Sequence, residues 1–247
     1  MVLETWEDKK YIIVKKLGSG CSCECYTCFL SKDETKKLYA IKLFEESKKT
    51  YYEKEISIYQ HLSSNFTLQI HKHGIGYISY NNTENPAIIH NDKKSINYII
   101  LELAENGELF DYIYYIKNPF TEKIASKIFL SIVKGIEYLH KNKIAHCDIK
   151  PENILVNKNY ELKIIDFSFS HKLEENNELI YVSQGTKTYC SPECTRPTLG
   201  YDPCKHDIFS LGVVAFVLTV GRFPFKNASF LDKNYRYIIK KDYNGFW

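Results

Sequence analysis

The sequence predicts an α+β protein, rich in strands at the front and in helices behind. Three features carry that expectation. Tyr11 to Leu17 and Lys37 to Phe44 are short runs of β-branched, aromatic and other apolar residues broken by polar positions. From Gly107 onward, apolar residues recur with the period of a helix that has one buried face. Ile208 to Val220, the longest apolar stretch, is interrupted by Ser210, Gly212 and Thr219; it reads as a buried core helix too short to span a bilayer.

Taken in order, the two early strands flank the turn Gly18-Ser19-Gly20 and read as an opening hairpin. From Tyr51, the positions Ile56, Ile58, Tyr59 and Leu62 give a helix that ends near Ser63-Ser64-Asn65. Tyr80 to Asn97, with Asn81-Asn82, Asn85-Pro86 and Asp92-Lys93-Lys94, is turn-rich and predicts an extended hairpin loop before a strand over Tyr98 to Leu103. Helices follow over Glu108 to Tyr115 and over Thr121 to Lys141, the second with apolar residues at 124, 128, 129, 132, 133, 136 and 139. Ile154 to Val156 and Leu162 to Ile165 flank Asn157-Lys158-Asn159 and predict a tight hairpin.

With 247 residues and 44% hydrophobic content, the chain can hold one large domain or two small lobes around a packed core. The 33 Lys and Arg against 30 Asp and Glu leave a field too weak to imply nucleic acid. Arg occurs only at 196, 222 and 236, so the cationic groups are mostly lysine point charges. Met1 to Lys10 carries no apolar h-region, which argues against a secretory signal. Eight cysteines are too few and too clustered for a disulfide scaffold in a chain of this length, so a reducing cytoplasm or nucleus is expected. Oligomeric state is not legible.

Three segments carry chemistry. Leu17 to Cys23 would lay backbone N–H groups over an anion, because glycine lets the main chain come close, although an ordinary glycine turn reads the same way. Cys21, Cys23, Cys25 and Cys28 admit a zinc reading, but the distant second C-x2-C pair is missing, and packing or redox sensitivity competes with it. His146-Cys147-Asp148-Ile149-Lys150-Pro151-Glu152-Asn153 is followed by Asp166-Phe167-Ser168. Together they place two carboxylates, an amide and an ammonium where phosphoryl transfer from ATP could use them.

Those two runs resemble the catalytic loop and metal-binding motif of the eukaryotic protein kinases, Ser/Thr type. The resemblance covers Tyr11 to Trp247 and is greatest for the calcium/calmodulin-dependent group, on Glu108 to Ile113 and the stretch from Tyr235. It implies a two-lobed kinase fold: a β-rich N-lobe with one main helix over 1–103 and a helical C-lobe over 104–247. It further implies that the C-lobe lacks the family's last helices, as in a truncated chain.

The resemblance assigns roles residue by residue. Asp148 would be the base for the substrate hydroxyl, Lys150 would lie near the transferred phosphate, and Asn153 and Asp166 would hold magnesium. Gly18 and Gly20 would cover the phosphates, and Lys42, paired with Glu55 thirteen residues on, would anchor them. Leu17, Cys25, Ala40 and Leu155 would contact the nucleotide. Backbone groups near Glu102 and Ala104 would meet adenine, with Leu101 guarding the pocket behind, and Glu108 would meet ribose. An exposed Glu108 opening a helix would also be stabilised by the helix dipole alone. Ser191-Pro192-Glu193 resembles the A-P-E motif and Asp207 the aspartate that organises the catalytic loop.

The implied activity is transfer of the γ-phosphoryl of magnesium-ATP to Ser or Thr of protein substrates, with Lys150 and Thr186 favouring those acceptors over Tyr. Four departures bear on it. Cys23 replaces the third glycine; Ser168, in place of glycine, is expected to stiffen its loop or cap a neighbouring amide. Cys147 replaces the Arg that grips an activation-segment phosphate, so Tyr181, Ser183 and Thr186 are expected to need no phosphorylation. Glu193 lacks the Arg partner of the family's later helix, an unmatched buried charge expected to cost about 3–5 kcal/mol. The alternatives are a scaffold that binds nucleotide or a partner without turnover, and a zinc or redox module.

Overall fold

Val2 to Thr5 alternates half-buried and buried side chains, and this short strand, β1 (Val2–Thr5), decides the architecture of the front of the chain. The computed structural model describes residues 1–5, 9–79, 94–115, 120–174 and 178–247. It divides into one unit of Met1–Ser63 with Leu68–Ala104 and a second of Ser64–Thr67 with Glu105–Trp247. The division therefore falls after Ala104 instead of after 103, and Ser64–Thr67 joins the second unit. The reason is local pairing, since the Ile164 amide donates to the Phe66 carbonyl at 2.7 Å and Thr67 bridges Ile164.

In the first unit β2 (Lys10–Ser19), β3 (Glu24–Leu30), β4 (Tyr39–Phe44), β5 (Ile70–Ser79) and β6 (Lys94–Glu102) join β1 in a closed antiparallel barrel, ordered β1-β2-β3-β4-β6-β5. The expected opening hairpin is corrected here. The runs at 11–17 and 37–44 are not partners; β3 lies between them and pairs with both. Of the expected loop over 80–97, residues 94–97 belong to β6, and the remainder lies outside the described residues. Leu3, Tyr11, Ile41, Ile78, Tyr98 and Ile100 fill the barrel core. Each such large apolar side chain, fully buried, contributes about 1.5–3 kcal/mol. At Gly76 a Cβ would stand 2.7 Å from the Glu4 carbonyl oxygen, so glycine permits β1 to close against β5. The helix α1 (Lys49–Tyr59) buries Glu55, Ile56, Ile58 and Tyr59.

The second unit begins its helices with α2 (Leu109–Tyr115) and α3 (Glu122–Lys141), the latter burying Ala125, Ile132, Gly135, Ile136 and Leu139. Short pairs follow: β7 (Ile144–Ala145) with β10 (His171–Lys172), and β8 (Ile154–Val156) with β9 (Leu162–Ile164). Next comes α4 (Pro203–Val220), whose ends are written in the sequence. Asp202 accepts from the amides of Cys204 and Lys205, Pro203 opens the first turn, and Gly221 closes it at φ 73°. By length and composition α4 could cross a membrane, but half of it is buried within the fold. Its buried Asp207 and Ser210 are both hydrogen-bonded there. Asp232 caps α5 (Lys233–Lys240), and α6 (Tyr243–Phe246) follows.

Candidate active site

Each unit carries its own polar constellation. In the barrel, Lys42 comes from β4 and Glu55 from α1, and the Lys42 ammonium donates to Glu55 Oε1. Both are buried, Lys42 at 7% exposure and Glu55 at 0%. An ion pair this dry is worth keeping only with close geometry, which the register of β4 and the adjacent turn of α1 supply. The β2 to β3 turn is tied by the Gly20 amide donating to the Cys23 carbonyl at 3.0 Å. A Cβ added at Gly18 or Gly20 would meet nothing within 4 Å, so the protein leaves that surface clear for an approaching group.

The four front cysteines do not converge. Cys23, just before β3, and Cys25 within it have sulfurs 3.8 Å apart, Cys21 is exposed, and Cys28 points into the barrel core, where burial pushes its thiol up to about 12. Among the described residues this corrects the zinc reading of that segment.

In the second unit Asp148 is the hub. Its Oδ2 accepts from Lys150 Nζ at 2.7 Å and from Asn153 Nδ2 at 3.0 Å, and its Oδ1 accepts from the Thr186 amide at 2.7 Å. Lys150 Nζ also donates to Thr186 Oγ1 at 2.7 Å. Asp207, fully buried in α4, holds the preceding backbone, accepting from the amides of His146 at 2.8 Å and Cys147 at 2.7 Å. The Asp148 amide donates to His146 Nδ1 at 3.3 Å, which leaves His146 Nε2 to donate to the Ile165 carbonyl at 2.9 Å. Two non-glycine residues here take left-handed backbone, Cys147 at φ 62° and Asp166 at φ 64°; strain of this kind collects at functional sites. Gly185, at φ 85°, would drive a Cβ to 2.5 Å from the Cys147 carbonyl oxygen, so only glycine lets the segment carrying Thr186 lie against this loop.

Residues 11–243 match the protein kinase domain family. The chain belongs to that family. It is 30% identical over 235 residues to CBL-interacting serine/threonine-protein kinase 7 of Arabidopsis thaliana, covering 95% of this chain and 51% of that protein. It is 40% identical over 152 residues to CBL-interacting protein kinase 26 of Oryza sativa subsp. japonica, covering 61% of this chain and 30% of that protein. Against serine/threonine-protein kinase chk1 of Schizosaccharomyces pombe the identity is 30% over 227 residues, 88% of this chain and 42% of the relative. The chain spans about half the length, or less, of these curated relatives.

The kinase residues read from the sequence fall into two groups. Asp148, Lys150, Asn153 and Thr186 are brought into one hydrogen-bonded network, and Lys42 with Glu55 into another. Leu17, Cys25 and Ala40 lie on or beside the barrel strands that carry Gly18 and Lys42, Leu17 half-exposed and Cys25 partly buried. Glu102 caps the end of β6, its amide donating to the Gln69 carbonyl at 2.9 Å and its carboxylate accepting from the Gln69 amide at 3.1 Å; Ala104 is buried. Glu108 does not open a helix, since α2 starts at Leu109; it bridges Leu155 of β8. Burial, with Asp111 and Glu152 nearby, raises its carboxyl above the usual range.

Two departures from the family pattern are placed by the structure. The Ser168 hydroxyl donates to Asp166 Oδ1, which the Ser168 amide also approaches at 3.3 Å. Glu193 is exposed, so its carboxylate is solvated and the cost of a buried unmatched charge does not arise. Sequence reasoning missed the contribution of Gly185, for which the signal was a lone glycine before Thr186.

Proposed function

We propose that this kinase domain transfers the γ-phosphoryl of ATP to serine or threonine hydroxyls of protein substrates. The observation that carries the reading is the Asp148 carboxylate, held from three sides by Lys150, Asn153 and Thr186. The donor set suits the groups implied. Asp166 and Asn153 present hard oxygens of the kind magnesium selects, with Asn153 turning its amide nitrogen onto Asp148 and so leaving its oxygen for a cation. Gly18 and Gly20 leave room that a side chain would fill.

Magnesium, when bound, supplies charge neutralisation on the phosphate oxygens. The chain's own residues do the rest. Lys42, fixed by Glu55, presents a cation that does not have to be reorganised for each turnover. Asp148, oriented by three donors, accepts the proton of the attacking hydroxyl. Lys150 offsets negative charge beside it. Thr186 Oγ1 on Lys150 helps define which acceptor is admitted, and serine or threonine is the reading it supports.

A binding-only scaffold, motivated by Cys23, Cys147 and Ser168, has no physical need for the complete Asp148 network. The two are separated by offering the chain magnesium-ATP with Ser, Thr and Tyr peptides beside its Asp148→Asn variant. Transfer to Ser or Thr that falls roughly 10²–10⁴-fold in the variant supports the proposal. A folded, nucleotide-binding wild-type chain that transfers nothing overturns it.

A further inference from the structure

Three potential metal ligands meet outside the catalytic network. Cys190 and Cys194 flank the Ser191-Pro192-Glu193 turn, and His206 lies in the first turn of α4; one donor atom from each falls within 4.8 Å of the others. All three side chains are buried, at 6%, 0% and 1% exposure. They sit in a cluster closed by Ala145, Leu173, Ile180 and Tyr201. The imidazole is fixed by Ser191, whose Oγ lies 3.0 Å and whose amide lies 3.3 Å from Nδ1. Both thiols point at one acceptor, the Gln184 carbonyl, 3.2 Å from Cys190 Sγ and 3.4 Å from Cys194 Sγ, and the Tyr201 hydroxyl lies 3.4 Å from Cys194 Sγ.

We propose that Cys190, Cys194 and His206 form a structural site for a soft divalent cation of the zinc type. Zinc bonds of about 2.3 Å to sulfur and 2.0 Å to nitrogen set tetrahedral donor separations near 3.5–3.8 Å, so the three donors need to draw in by only about 1 Å. Two thiolates and a neutral imidazole balance the cation's charge, which suits a dry apolar cluster. Binding releases the two thiol protons to solvent and replaces their shared use of the Gln184 carbonyl. An oxygen completes the tetrahedron, and Gln184 and Tyr201 both offer one at hand. The site ties the Cys190 to Cys194 turn to α4, the helix that carries Asp207. It does this without a phosphate, in a chain whose Cys147 is no phosphate receptor. The inference does not depend on turnover.

The test uses the purified whole chain. Zinc is measured by elemental analysis, and the metal-free protein is titrated with Co²⁺ while thiolate-to-cobalt charge-transfer bands are followed in the near ultraviolet. Expected are one equivalent of metal, bands diagnostic of two thiolates, and loss of both in Cys190→Ser with Cys194→Ser. For His206→Asn, Co²⁺ affinity falls by more than the roughly 10- to 100-fold that loss of an outer-shell partner produces. A variant with Cys21→Ser, Cys23→Ser and Cys25→Ser keeps its metal; should the paired variant fail to fold, this one still decides. Absent charge-transfer bands, metal lost from the front-cysteine variant, or a Cys190–Cys194 disulfide by mass would overturn the proposal.

Discussion

Asp207 Oδ1 stands 2.7 Å from the amide nitrogen of Cys147, so a carboxylate sixty residues downstream fixes the backbone that presents Asp148. The same carboxylate takes His140 Nε2 at 2.9 Å. Burial alone would push the His140 imidazole down, but hydrogen bonds to Asp207 and Cys204 prevail and raise it to about 10. The folded value exceeds the unfolded value near 6.5, so this interaction stabilises fully below about pH 6.5 and is lost as pH rises through about 10. Urea unfolding across that window is expected to show wild type losing on the order of 1.5–3 kcal/mol relative to His140→Gln. Parallel curves for the two proteins would count against the pairing.

Lys42→Ala leaves the fully buried Glu55 carboxylate without its ammonium and is expected to cost about 3–5 kcal/mol. Lys42→Met combined with Glu55→Leu removes both charges and is expected to recover most of that loss, although not phosphate anchoring. Guanidinium denaturation of the single and double variants gives the answer. A double variant no more stable than the single would show that desolvation is not the controlling cost.

Gly185→Ala combines a disfavoured left-handed backbone with a 2.5 Å approach to the Cys147 carbonyl oxygen. The strain is expected to cost about 1–3 kcal/mol. Displacing Thr186 by even ~1 Å is expected to lower kcat on the order of 10²-fold. Steady-state kinetics beside thermal unfolding checks both, and unchanged kcat would refute the positional role assigned to Gly185.

Cys147 is fully buried in a cluster with Ala145, Leu173, Ile180 and Tyr201, and among the described residues no guanidinium belongs to that cluster. Phosphatase-treated protein is therefore expected to keep its turnover within about twofold. Collapse of activity on dephosphorylation would show that another cation does the gripping. Cys147→Arg is expected to destabilise the fold by several kcal/mol, since it buries a charge in that cluster.

The hydrogen-bonded network around Asp148 was legible because it is nearly contiguous: Asp148, Lys150 and Asn153 share one loop, and Asp207 was singled out by its own motif. Lys42 and Glu55 were legible from order and spacing. β1 was not, because four residues give no usable period and its partner β5 lies some seventy residues away. The strand β3 was hidden by its cysteines, which drew a metal reading where a pleated face was the physical fact. Cys190, Cys194 and His206 could not be grouped from sequence, since only the fold returns α4 to the Cys190 turn. The direction of the Ser168 hydroxyl, toward Asp166, likewise depends on a backbone angle that no residue pattern announces.

Val2 pairs with both Ile12 and Ser79, so β1 cannot complete its hydrogen bonding until β5 has been synthesised. Hairpins among β2, β3 and β4 join near neighbours and can form early, while the seam between β1 and β5 spans a loop whose closure entropy grows with its length. Until that seam forms, β1 and β5 each present a row of unmatched amides and carbonyls, the feature that recruits other chains into aggregates. During synthesis β1 lacks this partner from the emergence of Thr5 until that of Ser79, and its open edge faces other chains for that interval.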